Sequence, residues 1–193
     1  LIERSPERDA AVLAALPHVP RLGWTEAALE AGLRDLGEAP AAHRWLFPGG
    51  PVGAAEAWAD LADRRMEEAA AAEGLESLRI PARIRRVIAI RLEGSAPHRE
   101  ALRRALALMA LPWNAGIAAR TLARTADAIW AAAGDRSADF SWYTRRATVA
   151  AVYAATLTYW LREPVSVEEA LAFLDRRLAG LARLRRPGAA RGG

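Results

Sequence analysis

Apolar residues recur along this chain at steps of three and four, the period of a helix that buries one face, and no stretch alternates as a strand does. Ala10 to Leu16 opens with such a run and predicts a short helix ending near Pro17 or Pro20, since proline lacks a donor and restricts the residue before it. Thr25 is placed to cap the next helix, with Ala28, Leu29, Gly32, Leu33 and Leu36 inward and Gly37 as its stop. Pro40 to Phe47 forms a short segment closed by Pro48-Gly49-Gly50-Pro51. An Ala-rich helix is expected from Gly53 to about Ala72, ended by Gly74; Ile80, Ile84, Val87 and Ile88 mark another, with Arg83, Arg85, Arg86 and Arg91 outside. Leu102, Ala105, Leu106 and Met109 recur before Pro112. Asn114 then stands where a cap would start a helix to Ala133, bearing a surface pair between Arg124 and Asp127.

The stretch from Asp127 to Trp160 holds three of the seven tryptophans and all three tyrosines. It reads as a helix end, a Gly134-Asp135 break and a new helix capped by Asp139. On the new helix Trp142, Arg146, Val149, Tyr153, Thr156 and Trp160 share one stripe, and Tyr143, Ala147, Ala150, Ala154, Leu157 and Leu161 the neighbouring one. An aromatic stripe with hydroxyls suits an apolar cavity with a few polar anchors; a core helix whose aromatics fill space is the alternative. Further on, Ser166 and Glu169 fit a capping box, followed by a seam of Leu171, Leu174, Leu178 and Leu181 suited to packing on the body or on a second copy.

With 193 residues and 52% hydrophobic content, the chain has the size and substance of one domain with a substantial core. All 27 basic residues are arginine and the net charge is only +4, so the high isoelectric point is weak support for nucleic-acid binding. Without cysteine there is no disulfide framework, thiolate site or cysteine nucleophile. The opening residues lack the apolar core of a secretory signal and the acid-poor character of a transit peptide, so they read as mature protein. The longest apolar run, Ala147 to Leu161, is shorter than the roughly 20 residues that cross a bilayer.

Three short helices in the first fifty residues suggest a helix-turn-helix. Its candidate recognition segment, Pro40 to Phe47, offers only His43 and Arg44 to bases and phosphates, beside Glu38 and Glu56. A degenerate helix-turn-helix kept as scaffold fits these residues better than a DNA reader. His18, His43 and His98 have no carboxylate or histidine at helical metal spacing, and no phosphate loop, nucleophile elbow or dinucleotide fingerprint occurs. No catalytic residues, metal site or cofactor are expected.

Asp127-Ala-Ile-Trp130, Gly134-Asp135 and Trp142-Tyr143-Thr144-Arg145-Arg146-Ala147 resemble motifs of the ubiquinone (coenzyme Q) biosynthesis accessory family with a TetR-like fold. Gly23-Trp24-Thr25-Glu26, Val152 to Thr156 with Tyr159-Trp160, and Phe173 to Arg177 follow in the family's order. The resemblance implies an all-α, TetR-like bundle of about nine helices. Residues 1–50 would form a degenerate helix-turn-helix subdomain, 51–186 a lipid-binding bundle and 187–193 a disordered tail. It also implies a non-catalytic homodimer, cytoplasmic and peripheral to the inner face of a bacterial membrane, without nucleic acid. That dimer would bind isoprenoid lipids or quinone intermediates in a chamber for their tails and present them to a di-iron hydroxylase. A TetR-like transcription factor sensing an apolar effector is the alternative.

Carried over by position, the partner-binding patch comprises Asp127, Trp130, Asp139, Trp142, Tyr143 and Arg146. The lipid lining comprises Leu122, Ile129, Val149, Tyr153, Thr156 and Trp160. Ala131 and Ser141 depart from the family's usual aromatic and asparagine. Pro187-Gly188 stands where longer members continue into an amphipathic helix, so membrane contact is expected to be weaker, or to use another surface or the Leu171 to Leu184 helix.

Overall fold

The computed structural model describes residues 3–134 and 142–184, with side chains described outside 142–145 and 180–184. Among the described residues ten α-helices follow in order: α1 Pro6–Ala15, α2 Val19–Leu22, α3 Glu26–Asp35, α4 His43–Leu46, α5 Gly50–Glu73, α6 Ile80–Ser95, α7 Arg99–Met109, α8 Ala115–Ala132, α9 Trp142–Trp160 and α10 Val167–Leu184. No strand occurs among the described residues, so the all-α expectation holds. The count agrees with the expected bundle of about nine helices; α2 and α4 are single turns of four residues.

Local chemistry sets most boundaries. Ser5 accepts from the Arg8 amide at 3.3 Å and Pro6 occupies the first turn, so α1 begins before the apolar run from Ala10. Thr25 caps α3 through the Ala28 amide, and Gly74 ends α5 in the left-handed region at φ 65°. Ser166 and Glu169 exchange the two bonds of a capping box at 2.7 and 3.1 Å. Asn114, in contrast, makes no cap bond: its side-chain amide turns back to donate to the Leu108 carbonyl at 2.9 Å, closing the α7–α8 turn.

The 24-residue α5 is the axis of the bundle and packs against α1, α6, α7 and α8. One hydrophobic core runs from Val12, Leu16, Leu29 and Leu33 through Trp58 and Met66 to Ile88, Ile129, Trp160 and Leu174. The change near residue 50 is thus a change of layer within that core. α3 lies so close on α1 that a methyl group at Gly32 would fall 2.5 Å from the Ala15 backbone nitrogen. Trp24 joins the layers: its indole donates to the Ala101 carbonyl at 2.9 Å and its ring lies 5.7 Å from that of Trp58.

α9 and α10 form a hairpin over α8 and α6. Tyr159 stacks on Phe173 at 4.6 Å, and Arg85 of α6 holds Asp175 of α10 at 2.7 Å. The upper part of the leucine seam is spent on the body, with Leu171 and Leu174 buried. The expected cap Asp139 and the tail 187–193 lie outside the described residues.

Candidate functional site

A cavity of about 240 Å³ opens between α5, α6, α7, α8 and α9. Its deep wall is built from buried side chains: Ala55 and Trp58 of α5, Leu102 and Ala105 of α7, Thr121 and Thr125 of α8, and Tyr153 and Leu157 of α9. Its mouth is formed by Leu106, Ala110, Ala118, Leu122, Ala154 and Thr158, which are partly or fully exposed. Small side chains leave room here: Ala55, Ala105, Ala118 and Ala154 are among the residues that line the cavity. The volume is below the roughly 300–1,000 Å³ of pockets that enclose a drug-sized ligand. It suits a ring or a short apolar segment, with anything longer continuing through the mouth.

A buried polar network reaches this wall at Arg91 and Thr125. Arg91 is not on the outer face of α6, where periodicity placed it, but 6% exposed. Its Nε donates to the Asp63 carboxylate at 3.0 Å and its Nη1 to the Ser95 hydroxyl at 2.7 Å. Thr125 donates to the other Asp63 oxygen at 2.8 Å. Burial pushes the Asp63 carboxyl up, against the pull of Arg91 and Thr125.

Asp63 is the third of three acidic residues that α5 turns inward. Glu56 accepts from Arg120 twice at 2.7 Å, and that bond, against burial, holds its carboxyl below the usual range. At Asp60 burial acts upward, but the Arg4 and Arg64 hydrogen bonds with the nearby Arg124 charge outweigh it and the carboxyl is lowered. Arg124 thus lies beside Glu56 and Asp60 at 3.5 and 3.6 Å rather than pairing with Asp127. These partners are far apart in sequence; the only early signal was the 4 and 3 spacing of Glu56, Asp60 and Asp63 among alanines and Trp58.

Of the six residues expected to line a lipid chamber, Leu122 and Tyr153 line this cavity. Ile129, Val149, Thr156 and Trp160 are buried at 0–4% exposure but pack in the solid core away from the cavity. Thr156 spends its hydroxyl on the Val152 carbonyl at 2.8 Å, and Trp160 lies under the Arg99 guanidinium at 5.2 Å. The side of α9 that meets the cavity is Tyr153, Ala154, Leu157 and Thr158, which shares Tyr153 with the expected stripe.

Of the expected partner patch, Asp127 and Arg146 are brought together as an ion pair joining α8 to α9. Trp130 is 8% exposed, an inward residue rather than a surface aromatic. Asp139 lies outside the described residues, as do the side chains of Trp142 and Tyr143, although both residues belong to the first turn of α9. In the N-terminal layer α4 is a single turn, and His43 is 2% exposed with its Nδ1 against the Pro40 carbonyl at 2.9 Å. Among the described residues no three His, Cys, Asp or Glu side chains group to hold a metal ion, and no helix is long and apolar enough to cross a membrane.

The family model described as COQ9 matches residues 115–185, which cover α8, α9 and α10. The chain is 34% identical over 157 residues to the mitochondrial ubiquinone biosynthesis protein coq9 of Schizosaccharomyces pombe, covering 77% of this chain and 59% of that protein. It is 31% identical over 172 residues to mitochondrial ubiquinone biosynthesis protein COQ9 of Homo sapiens, covering 86% of this chain and 54% of the relative. The chain therefore spans little more than half the length of these relatives. The crystal structure of the TetR transcriptional regulator from Nitrosomonas europaea ATCC 19718 superposes with a TM-score of 0.73 over 93% of this chain and 99% of that one, at 24% identity. That likeness gives the fold.

Proposed function

Since the chain belongs to the COQ9 ubiquinone biosynthesis family and has a TetR-like fold, we propose that it is a non-catalytic lipid-binding protein, which takes up isoprenoid quinone intermediates and presents them to a membrane-associated di-iron hydroxylase. The observation that supports this reading is the small apolar cavity beneath α9, with its partly exposed mouth at Leu106, Ala110 and Ala118. A non-catalytic role asks only that the protein hold and release its guest. The hydroxylase would dock beside the Asp127–Arg146 pair at the α8–α9 junction, in a homodimeric assembly.

Membrane contact in this reading falls to the α7–α8 tip. From Ala105 to Ala119 the chain carries no charged residue, although charged residues make up 26% of its length. Trp113 at the apex is 76% exposed, and Ala110, three residues before it, belongs to the cavity mouth. Arg103, Arg104 and Arg120 flank the uncharged segment. An aromatic apex with basic flanks suits the bilayer interface, where an indole finds both hydrocarbon and polar headgroups. A guest could then pass between membrane and cavity with little exposure to water.

A DNA-reading role has against it the single-turn α4 and the burial of His43. The proposal is tested by Leu122→Trp, which fills the mouth. The variant should keep its helical circular dichroism and lose copurifying prenyl compounds; a lipid content equal to wild type would refute the assignment of the cavity.

A further inference from the structure

A second cavity, of about 310 Å³, lies across Trp58 and Arg91 from the first; these two residues line both, and the remaining linings are separate. Its apolar surface comes from Leu13 of α1, Trp58, Leu61, Met66 and Ala69 of α5, and Ile90 of α6. Most of its polar groups are committed. Glu73 and Glu93 accept from the Arg86 guanidinium at 2.7 and 2.9 Å. Arg91 is held by Asp63, and Ser95 both accepts from the Arg91 guanidinium and donates to the Arg91 carbonyl. Arg65 and His98 are different: among the described residues neither has a hydrogen bond or an ion pair. Arg65 is exposed, and neither ring nitrogen of the half-buried His98 is sealed from solvent, so both groups can be reached from the cavity. Trp58 meets the His98 ring edge-on, with centroids 6.3 Å apart, which sets the imidazole against the apolar floor.

We propose that this second cavity binds a monoanionic amphiphile, a medium-chain or aromatic carboxylic acid, with its carboxylate on Arg65 and His98 and its apolar body over Trp58 and Ile90. The site is separate from the cavity proposed for a quinone intermediate, and it stands or falls on its own. A guanidinium holds a carboxylate through two parallel N–H bonds, and an imidazole N–H adds a third. An exposed ion pair alone contributes little; here the apolar lining adds burial of the ligand's body to the charge pairing. The charges on the lining select against dianions. His98 is held below the ordinary histidine range, first by burial and then by the Arg65 charge, so it is neutral at neutral pH and Arg65 is the charge left to a ligand. Arg91 is balanced by Asp63, and Arg86 is shared between Glu73 and Glu93, which leaves that end of the cavity net negative. A second negative charge on the ligand would find no cation of its own there.

The test follows the His98 ring signals by NMR in the whole protein, assigned by their loss in His98→Gln, during titration with octanoate, octanol and octyl phosphate at neutral pH. Because His98 lines this cavity and not the first, its signal reports the site in question. Octanoate should bind about tenfold more tightly than octanol, the order expected for one charge-assisted pair at a partly open site. Octyl phosphate, largely a dianion at that pH, should bind no more tightly than octanoate. Octanoate should also raise the pH at which His98 titrates, because an anion beside the ring favours its protonated form, whereas octanol should not. Arg65→Gln should remove the advantage over octanol and Arg65→Lys should keep part of it; Arg65 is exposed, so both variants keep the fold. Equal binding of octanoate and octanol, an advantage that survives Arg65→Gln, or a His98 signal that octanoate does not move overturns the site. Tighter binding of octyl phosphate overturns its assignment to a monoanion. None of these results bears on the first cavity, whose guest is read from the prenyl compounds that copurify with wild type and with Leu122→Trp.

Discussion

Asp63 and Arg91, one from α5 and one from α6, meet at 3.0 Å with their side chains 4% and 6% exposed, so an ion pair removed from water reaches the cavity wall at Arg91. Removing one partner of such a pair leaves an uncompensated charge in the interior. Asp63→Asn should therefore lower unfolding free energy by about 3–5 kcal/mol in a urea titration. Asp63→Leu combined with Arg91→Met should recover most of that loss, because two apolar side chains need no partner. A single variant as stable as wild type would mean that water reaches the pair.

The two outer carboxylates of α5 make the fold acid-sensitive. Glu56 and Asp60 are held below the usual carboxylate range. Their contribution is fully present above the unfolded-chain values, near pH 4, and is lost as pH falls through the lower folded values. The stability gap between wild type and Glu56→Gln should thus be widest at neutral pH and shrink below about pH 4. A gap that does not change with pH would show the Arg120 bond to be energetically idle.

Gly32→Ala tests the contact of α3 on α1. The added methyl meets the Ala14–Ala15 backbone, which cannot swing aside as a flexible side chain does. A loss of about 1–3 kcal/mol is expected, read as a lower midpoint of thermal unfolding. An unchanged midpoint would show that the two helices separate freely.

Trp113→Ser removes the apex of the α7–α8 tip. Sedimentation with phosphatidylcholine vesicles, with and without phosphatidylglycerol, should show membrane partitioning weakened by about tenfold, the order expected for one inserted aromatic. The same substitution at Trp45, also exposed at 66% but on α4, should have little effect. Equal losses from both positions would indicate nonspecific adsorption.

The Asp127–Arg146 pair offers a test of the docking surface that is separable from folding. Arg146→Asp should abolish association with the hydroxylase. Adding Asp127→Arg restores a pair between α8 and α9 but inverts its charges, so stability should return while association does not. Recovery of association by the double variant would make the pair structural only.

What the sequence made legible was local. The Thr25 cap, the Gly74 stop and the Ser166–Glu169 box are governed by residues within a turn of each other, and the structure has all three. The misplacements involve distant partners. Arg91 enters the core because Asp63, 28 residues earlier, neutralises it, and Arg124 leaves Asp127 for Glu56, 68 residues away. A pattern of apolar positions treats an arginine as outward and carries no record of such a partner. The cavity was legible only in part for a similar reason. Periodicity marked α9 as buried on one side, but whether Ile129, Val149 and Trp160 meet a void or one another depends on the alanines of α5, α7 and α8 opposite them.

The most direct measurement is organic extraction of the protein purified from a quinone-producing host, followed by mass spectrometry of the extract against the molar amount of protein. A prenylated quinone intermediate present in a fixed ratio to wild type, and depleted in Leu122→Trp, is the expected result. Wild-type protein that carries no prenyl compound, or the same amount as the filled variant, would contradict the account.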